Sequence, residues 1–290
     1  MKKILGVVLS ASVVLLTACG KHEAAQDSKA TADAGELKKV TIASSGSDTD
    51  IWNYIATLPQ TKQAGIELKV QNFTDYVAMN NAVANKDIDA NAFQSYAYMV
   101  AYNTNNKDKV APIATTYLEP MGIYSTKYKK VEEFPQGATI AIPNDGANES
   151  RALLLLQSAG LVKLKADFDD VKGTPADITE NSKKINIKPI QMATAVRVKN
   201  DVDAIVLGNV LAMEGGLNVL KDSIYHEPID QSTRMNVNII AVADSRKEDP
   251  TLKKLGDLYH TEEVKKYIQD HFQGTKVDVN KPVSYLTEAK

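Results

Sequence analysis

Residues 139–160 read TIAIPNDGANESRALLLLQSAG. The stretch divides into a buried strand, Thr139 to Ile142, a polar loop punctuated by Pro143 and Gly146, and a helix from about Asn148 to Ala159 closed by Gly160. Strand, loop, helix is the repeating unit of an α/β protein. Arg151 falls in or near the expected first helical turn, where the helix end is already positive and acidic residues are favoured. A cation there makes sense if an anion binds beside it, held by free backbone N–H groups and a guanidinium together. A solvated surface arginine is the other reading, and this stretch alone does not choose between them.

The same unit recurs on both sides. Leu37 to Ala43 is an apolar run ending in the loop Ser44 to Asp48, and a helix is expected from about Thr49 to Ala64. Strands follow at Glu67 to Val70, Ile88 to Ala92 and Val110 to Tyr117, with helices over Val77 to Asn85 and up to about Asn103 between them. Met121 to Ser125 reads as a connection into a second set. That set holds the 139–160 stretch, a strand at Ile185 to Ile190, a short helix from Ala193 to Lys199 and a strand at Val202 to Leu207. Asn238 to Val242 returns to the first set, and Glu262 to Phe272 is an amphipathic helix with Val264, Tyr267, Ile268 and Phe272 at helical spacing.

A short internal repeat links the two sets. Asp87-Ile88-Asp89-Ala90 and Asp201-Val202-Asp203-Ala204 share an Asp-x-Asp-Ala opening followed by an apolar stretch. Unless so short a match is chance, each set contains an equivalent strand. Ligands in open α/β sheets bind beyond the carboxyl ends of strands, which makes Phe93-Gln94 and Gly208-Asn209 candidates to face one another across a cleft. Tyr76 and Phe93 stand near predicted strand ends, where a pocket is expected. Tyr98 and Tyr102, at i and i+4, read as a core-facing stripe by spacing alone.

The chain has 290 residues, 43 % hydrophobic and 24 % charged, which suits two globular domains of ordinary size. Lys2 and Lys3 precede an apolar run from Ile4 to Leu16, the pattern of a secretory signal peptide covering residues 1–18. It ends in Leu16-Thr17-Ala18-Cys19, which resembles the lipobox of bacterial lipoproteins. Cys19 is the single cysteine. An unpaired thiol is awkward in an oxidising compartment, so lipidation of Cys19 is the expected use. Residues 19–36 then form a lipidated cysteine and flexible linker. Without Lys2 and Lys3, 32 basic residues face 36 acidic ones, a formal charge of −4 that argues against nucleic acid and against electrostatic membrane binding.

Enzyme signatures are scarce: there is no Gly-x-Ser-x-Gly elbow, phosphate loop or Gly-x-Gly-x-x-Gly fingerprint. The four histidines, His22, His226, His260 and His271, show no metal-ligand spacing, so neither metal nor cofactor is expected. An enzyme with an unmarked site stays open.

Asp75-Tyr76, Asp89 to Gln94, Glu119-Pro120-Met121-Gly122-Ile123-Tyr124-Ser125, Ala141 to Asp145 with Asn148 to Leu153, and Gly208-Asn209 occur in that order. Together they resemble the NlpA-type lipoprotein family, the methionine-binding components of bacterial ABC importers, over nearly all of the chain after the linker. The resemblance implies a two-lobed type II periplasmic binding-protein fold, each lobe a mixed sheet flanked by helices, joined by two crossover strands near Met121 to Ser125 and Asn236 to Ile240. Lobe 1 would comprise residues 37–120 plus 238–290, and lobe 2 residues 121–237. Arg151 would grip the ligand carboxylate, Asn209 and Asn238 would hold the amino and carboxylate groups, and Tyr76, Phe93 and Tyr98 would enclose a thioether. A membrane permease with its cytoplasmic ATPase would receive the amino acid from this monomeric carrier, tethered outside the bacterial cell membrane.

Three positions depart from the family pattern. Ser45 to Thr49 replaces a Gly-Pro-His run, Ser95 stands where histidine is common, and Asn236 stands where an aromatic residue is common. The side-chain pocket is therefore expected to be more polar or roomier than a methionine site, which keeps a polar amino acid or a methionine-containing dipeptide as alternatives. A surface lipoprotein acting as adhesin or hydrolase is the alternative of another class.

Overall fold

The computed structural model describes residues 36–288. The expected signal peptide, Cys19 and nearly all of the expected linker lie outside the described residues. Two five-stranded mixed sheets form the frame. The first has the order β2-β1-β3-β13-β4, made of Ile66–Asn72, Lys38–Ser44, Ala90–Asn91, Ile239–Ala243 and Val110–Thr115. The second has the order β10-β7-β11-β6-β12, made of Asn186–Ile190, Thr139–Pro143, Ala204–Gly208, Met121–Tyr124 and Tyr225–His226. In each, three parallel strands are followed by two antiparallel pairings. Two smaller ribbons pair β5 (Tyr117–Leu118) with β14 (Val277–Asp278), and β8 (Lys163–Leu164) with β9 (Ile178–Glu180).

Burial explains the strand compositions. β13 (IIAVA) is buried at every position, and β7 and β11 at all but one, because helices cover both faces of their sheets. The edge strand β10 carries Pro189, whose missing N–H is harmless only where no neighbour waits for it. On one face of the first sheet, Trp52 of α1 (Asp48–Thr57) packs with Leu255 of α8 (Pro250–Tyr259) and Val264 of α9 (Glu262–Phe272). On the other face, α3 (Tyr76–Ala84) and α4 (Tyr96–Asn105) bring in Met79, Val83 and Met99. The second sheet is covered by the leucines of α5 (Gly146–Ser158) on one side, and by α6 (Met192–Ala195) and α7 (Asn209–Glu214) on the other.

The Asp-x-Asp-Ala repeat marks equivalent places. The Asp89 N–H donates to Thr41 O and its Oδ2 accepts from Thr41 N at 2.8 Å. Asp203 does the same to Thr139, again at 2.8 Å from the N–H. The next residues pair Ala90 with Ile42 and Ala204 with Ile140. Each aspartate thus pins the start of the middle strand of its sheet.

Three element expectations are corrected and one helix is new. The helix expected over Thr49 to Ala64 is broken at Leu58, which is extended (ψ 138°) because it precedes Pro59, and Pro59 then opens the separate α2 (Pro59–Gln63). The short helix expected from Ala193 to Lys199 is α6 followed by a 3₁₀ turn, Val196–Val198. Helix α8 was not predicted although its signals are present: Asp249 caps it, Pro250 opens it, and Leu252, Leu255 and Tyr259 line one face. Finally, α5 starts at Gly146, capped by Asp145, not at Asn148. Arg151 is therefore its sixth residue, beyond the first turn, and the clamp of helix N–H groups plus guanidinium does not form.

Candidate functional site

A cleft of about 580 Å³, part of it open to solvent, lies where the carboxyl ends of β1 and β3 face those of β7 and β11. Its two sides differ in chemistry. From the first-sheet side come Tyr76 at the start of α3, Phe93 just after β3, and Tyr98 on α4. Phe93 lies 4.9 Å from Tyr76 and 5.8 Å from Tyr98 between ring centroids, and Tyr76 and Tyr98 meet edge-on at 6.2 Å. Burial pushes the Tyr76 hydroxyl up to about 12 and raises that of Tyr98 as well, so both remain neutral phenols. Met192 and Leu211 oppose them from the second-sheet side, giving the cleft an apolar end.

Tyr98 and Tyr102 part company: Tyr102 is in the core with its hydroxyl donating to Asn81, whereas Tyr98, one turn earlier on the helix, lines the cleft. Ser95 also lines the cleft. Its Oγ caps α4 by accepting from Tyr98 N at 3.2 Å, so it both shapes the wall and fixes the helix that carries Tyr98. A buried amide set beneath holds this segment: Asn80 and Gln94 exchange bonds at 2.7 and 2.9 Å, and Asn91 donates to Asn80.

Apart from Arg151, the polar end is built from charges the sequence did not single out. Lys276, with no exposed side-chain surface, lies between Asp48 at 2.8 Å and Glu119 at 2.7 Å, over the Tyr117 ring. Tyr117 donates to Asp48 Oδ2 at 2.5 Å. Burial raises the Asp48 carboxyl above its ordinary range, against the opposing pull of Lys276. Arg151 is likewise buried and already has an anionic partner: Nε and Nη2 contact Glu227 at 2.8 and 2.6 Å, and Nη2 also donates to the Glu119 carbonyl. Glu227 in turn accepts from Met121 N, at the entry to β6. Among the described residues, Nη1 of Arg151 and Oε1 of Glu119 have no hydrogen-bond partner, and both residues line the cleft.

The structure brings Arg151, Tyr76, Phe93, Tyr98, Ser95 and Asn238 together around the cleft. Hydrogen bonding assigns the Asn238 amide nitrogen to the side facing the Phe93 and Gln94 carbonyls, at 3.3 and 3.2 Å, because the opposite assignment sets oxygen against oxygen. Asn209 and Asn236 are not among the lining residues. Asn209 is fully buried and donates to Glu119 Oε2 and Thr275, while Asn236 donates to Glu227 at 3.3 Å. Each supports an acid of the polar end from behind. Asp48, Glu119, Glu227 and Lys276 are the residues that sequence reasoning missed. Asp48 ends the small-residue loop after the first strand and Glu119 opens a quoted motif, so both carried a signal; Glu227 and Lys276 carried none.

Comparison with known proteins agrees with this architecture. Residues 40–280 match the family model described as NlpA lipoprotein. The chain is 34 % identical over 277 residues to a probable D-methionine-binding lipoprotein MetQ of Haemophilus influenzae, covering 94 % of this chain and 97 % of that one. A nutrient-binding protein from Burkholderia cenocepacia, solved bound to methionine, is 37 % identical with a TM-score of 0.78, covering 82 % of this chain and 99 % of that chain. The substrate-binding protein of a methionine transporter from Streptococcus pneumoniae is also 37 % identical, with a TM-score of 0.75 and coverage of 83 % and 95 %. With the matched segment spanning both sheets and the cleft between them, the chain belongs to the NlpA lipoprotein family.

Proposed function

We propose that this protein binds methionine, or a closely related amino acid, in the cleft and delivers it to an ABC importer, carrying the ligand without transforming it. One observation carries the reading. A single cleft combines an apolar end of Tyr76, Phe93, Tyr98, Met192 and Leu211 with one unclaimed guanidinium nitrogen, on Arg151, and one unclaimed carboxylate oxygen, on Glu119. A zwitterion with an unbranched apolar side chain presents the matching groups. Arg151 Nη1 takes the ligand carboxylate, Glu119 Oε1 and the Asn238 carbonyl oxygen take the ammonium, and the aromatic wall takes the thioether. Asn209 and Asn236 hold Glu119 and Glu227 in place and do not touch the ligand. Lobe 1 (37–120 with 238–290) and lobe 2 (121–237) close over the ligand about the segments at β6 and β13. A lipid on Cys19 tethers the carrier, as a monomer, outside the cell membrane beside its permease.

Ser95 in the lining favours a second reading, a methionine-containing dipeptide, because a small hydroxyl replaces a ring there. Calorimetry on protein unfolded and refolded to strip any bound ligand, titrated with both enantiomers of methionine, the other amino acids and methionine-containing dipeptides, separates the readings. One-site binding led by methionine is expected. Tighter binding of a dipeptide favours the second reading, and no binding by any of these overturns both.

A further inference from the structure

We propose that the cleft selects its ligand by the ammonium group, the carboxylate being a secondary determinant; this rests on the amino-acid reading above and specifies which end of the amino acid is decisive. The argument is the charge balance of the polar end. Three carboxylates, of Asp48, Glu119 and Glu227, meet two cations, Arg151 and Lys276, in one connected buried network. Lys276 is shared between two acids, and the Arg151 charge is met by Glu227 through two nitrogens, with both side chains of that pair about nine-tenths buried. Arg151 is the lone cation among the described residues lining the cleft, so its positive charge is already answered before any ligand enters. Beside lining residues, Asp145 caps α5 by accepting from Asn148 and the Glu214 carboxylate lies against Gly46, adding the same negative sign.

A desolvated network with one negative charge in excess gains Coulomb energy from a cation and loses it to an anion. The ligand ammonium supplies the missing positive charge at Glu119 Oε1. The ligand carboxylate obtains a directional hydrogen bond from Arg151 Nη1, but enters a region whose net sign opposes it. A neutral acceptor at that position keeps most of the benefit.

Two ligands that each change one end of methionine test this by calorimetry on the stripped wild-type protein. Methionine amide keeps the ammonium and replaces the carboxylate with a neutral carbonyl acceptor. The 2-hydroxy analogue, 2-hydroxy-4-(methylthio)butanoate, keeps the carboxylate and replaces the ammonium with a hydroxyl of similar size. The expected result is an amide within about tenfold of methionine and a hydroxy acid weaker by about a hundredfold or more, the loss typical of an unpaired buried charge. Equal losses, or a hydroxy acid that binds better than the amide, overturn the proposal while leaving the amino-acid reading standing. If methionine and all other amino acids fail to bind, both fall together. Glu119→Gln supplies a second reading: the gap between the two analogues narrows at least about tenfold, and an unchanged gap contradicts the role given to Glu119.

Discussion

The two sheets share an order, a pattern of parallel and antiparallel pairing, and an aspartate that pins the middle strand, yet they end differently. After Asp89-Ala90 the first continues Asn91-Ala92-Phe93-Gln94 and turns into a helix bearing Tyr98; after Asp203-Ala204 the second continues Ile205-Val206-Leu207-Gly208 into a short helix. The first sheet's β3 is two residues long and gives way at once to the aromatic wall. The second sheet's β11 runs five residues, and its contribution of charge comes from Arg151 on the neighbouring helix. A common scaffold has placed an apolar surface on one side of the seam and a cation on the other. The chemistry of the cleft resides in what departs from the repeat.

The largest predicted effect removes the second side's contribution. Arg151→Ala strands Glu227, whose side chain is 9 % exposed, and should cost roughly 3–5 kcal/mol in denaturant unfolding while weakening, without abolishing, ligand binding. Pairing it with Glu227→Gln should recover much of the stability but not the hydrogen bond to the ligand carboxylate, which separates the structural use of Arg151 from its use on ligand. On the opposite side, Phe93→Ala opens the wall between Tyr76 and Tyr98 and should weaken binding by about 2 kcal/mol, roughly thirtyfold, with a smaller change in thermal stability.

What could be read from the chain follows the same division. The scaffold was legible because strands buried on both faces must be apolar, and because Asp-x-Asp-Ala repeats a bond that both sheets need. The aromatic wall was legible from Tyr76 and Phe93 standing at strand ends. The polar end was not, since Lys276 reaches Asp48 and Glu119 across 228 and 157 residues of sequence and no local periodicity reports such a contact. Arg151 drew attention as a cation in a first helical turn, where it does not lie; what sets it apart is burial against a glutamate distant in sequence.

The seam itself offers a smaller test. Gly46 has φ +53°, and a Cβ there would lie 2.0 Å from Glu214 Oε1 on α7 of the other sheet. Gly46→Ala should therefore cost about 1–2 kcal/mol of closure, read as a roughly tenfold loss of affinity, and Glu214→Ala in the same chain should return part of it.

The smallest effect concerns the shared aspartate. The Thr139 N–H holds the Asp203 carboxyl below its usual range, with Lys127 adding to the effect. A carboxyl lowered in the folded state stabilises above its unfolded pKa and loses that contribution as pH falls through the folded value. Asp203→Asn should thus lower stability by about 1 kcal/mol at neutral pH and by progressively less in acid, measured as denaturation midpoints across pH.

The most direct measurement is a crystal structure of the stripped protein regrown with methionine. The account predicts one molecule in the seam, its side chain against Tyr76, Phe93 and Tyr98, its carboxylate on Arg151 Nη1 and its ammonium on Glu119, with the Arg151–Glu227 pair intact. A ligand lodged elsewhere, or one that displaces Glu227 from Arg151 to take its place, would contradict it.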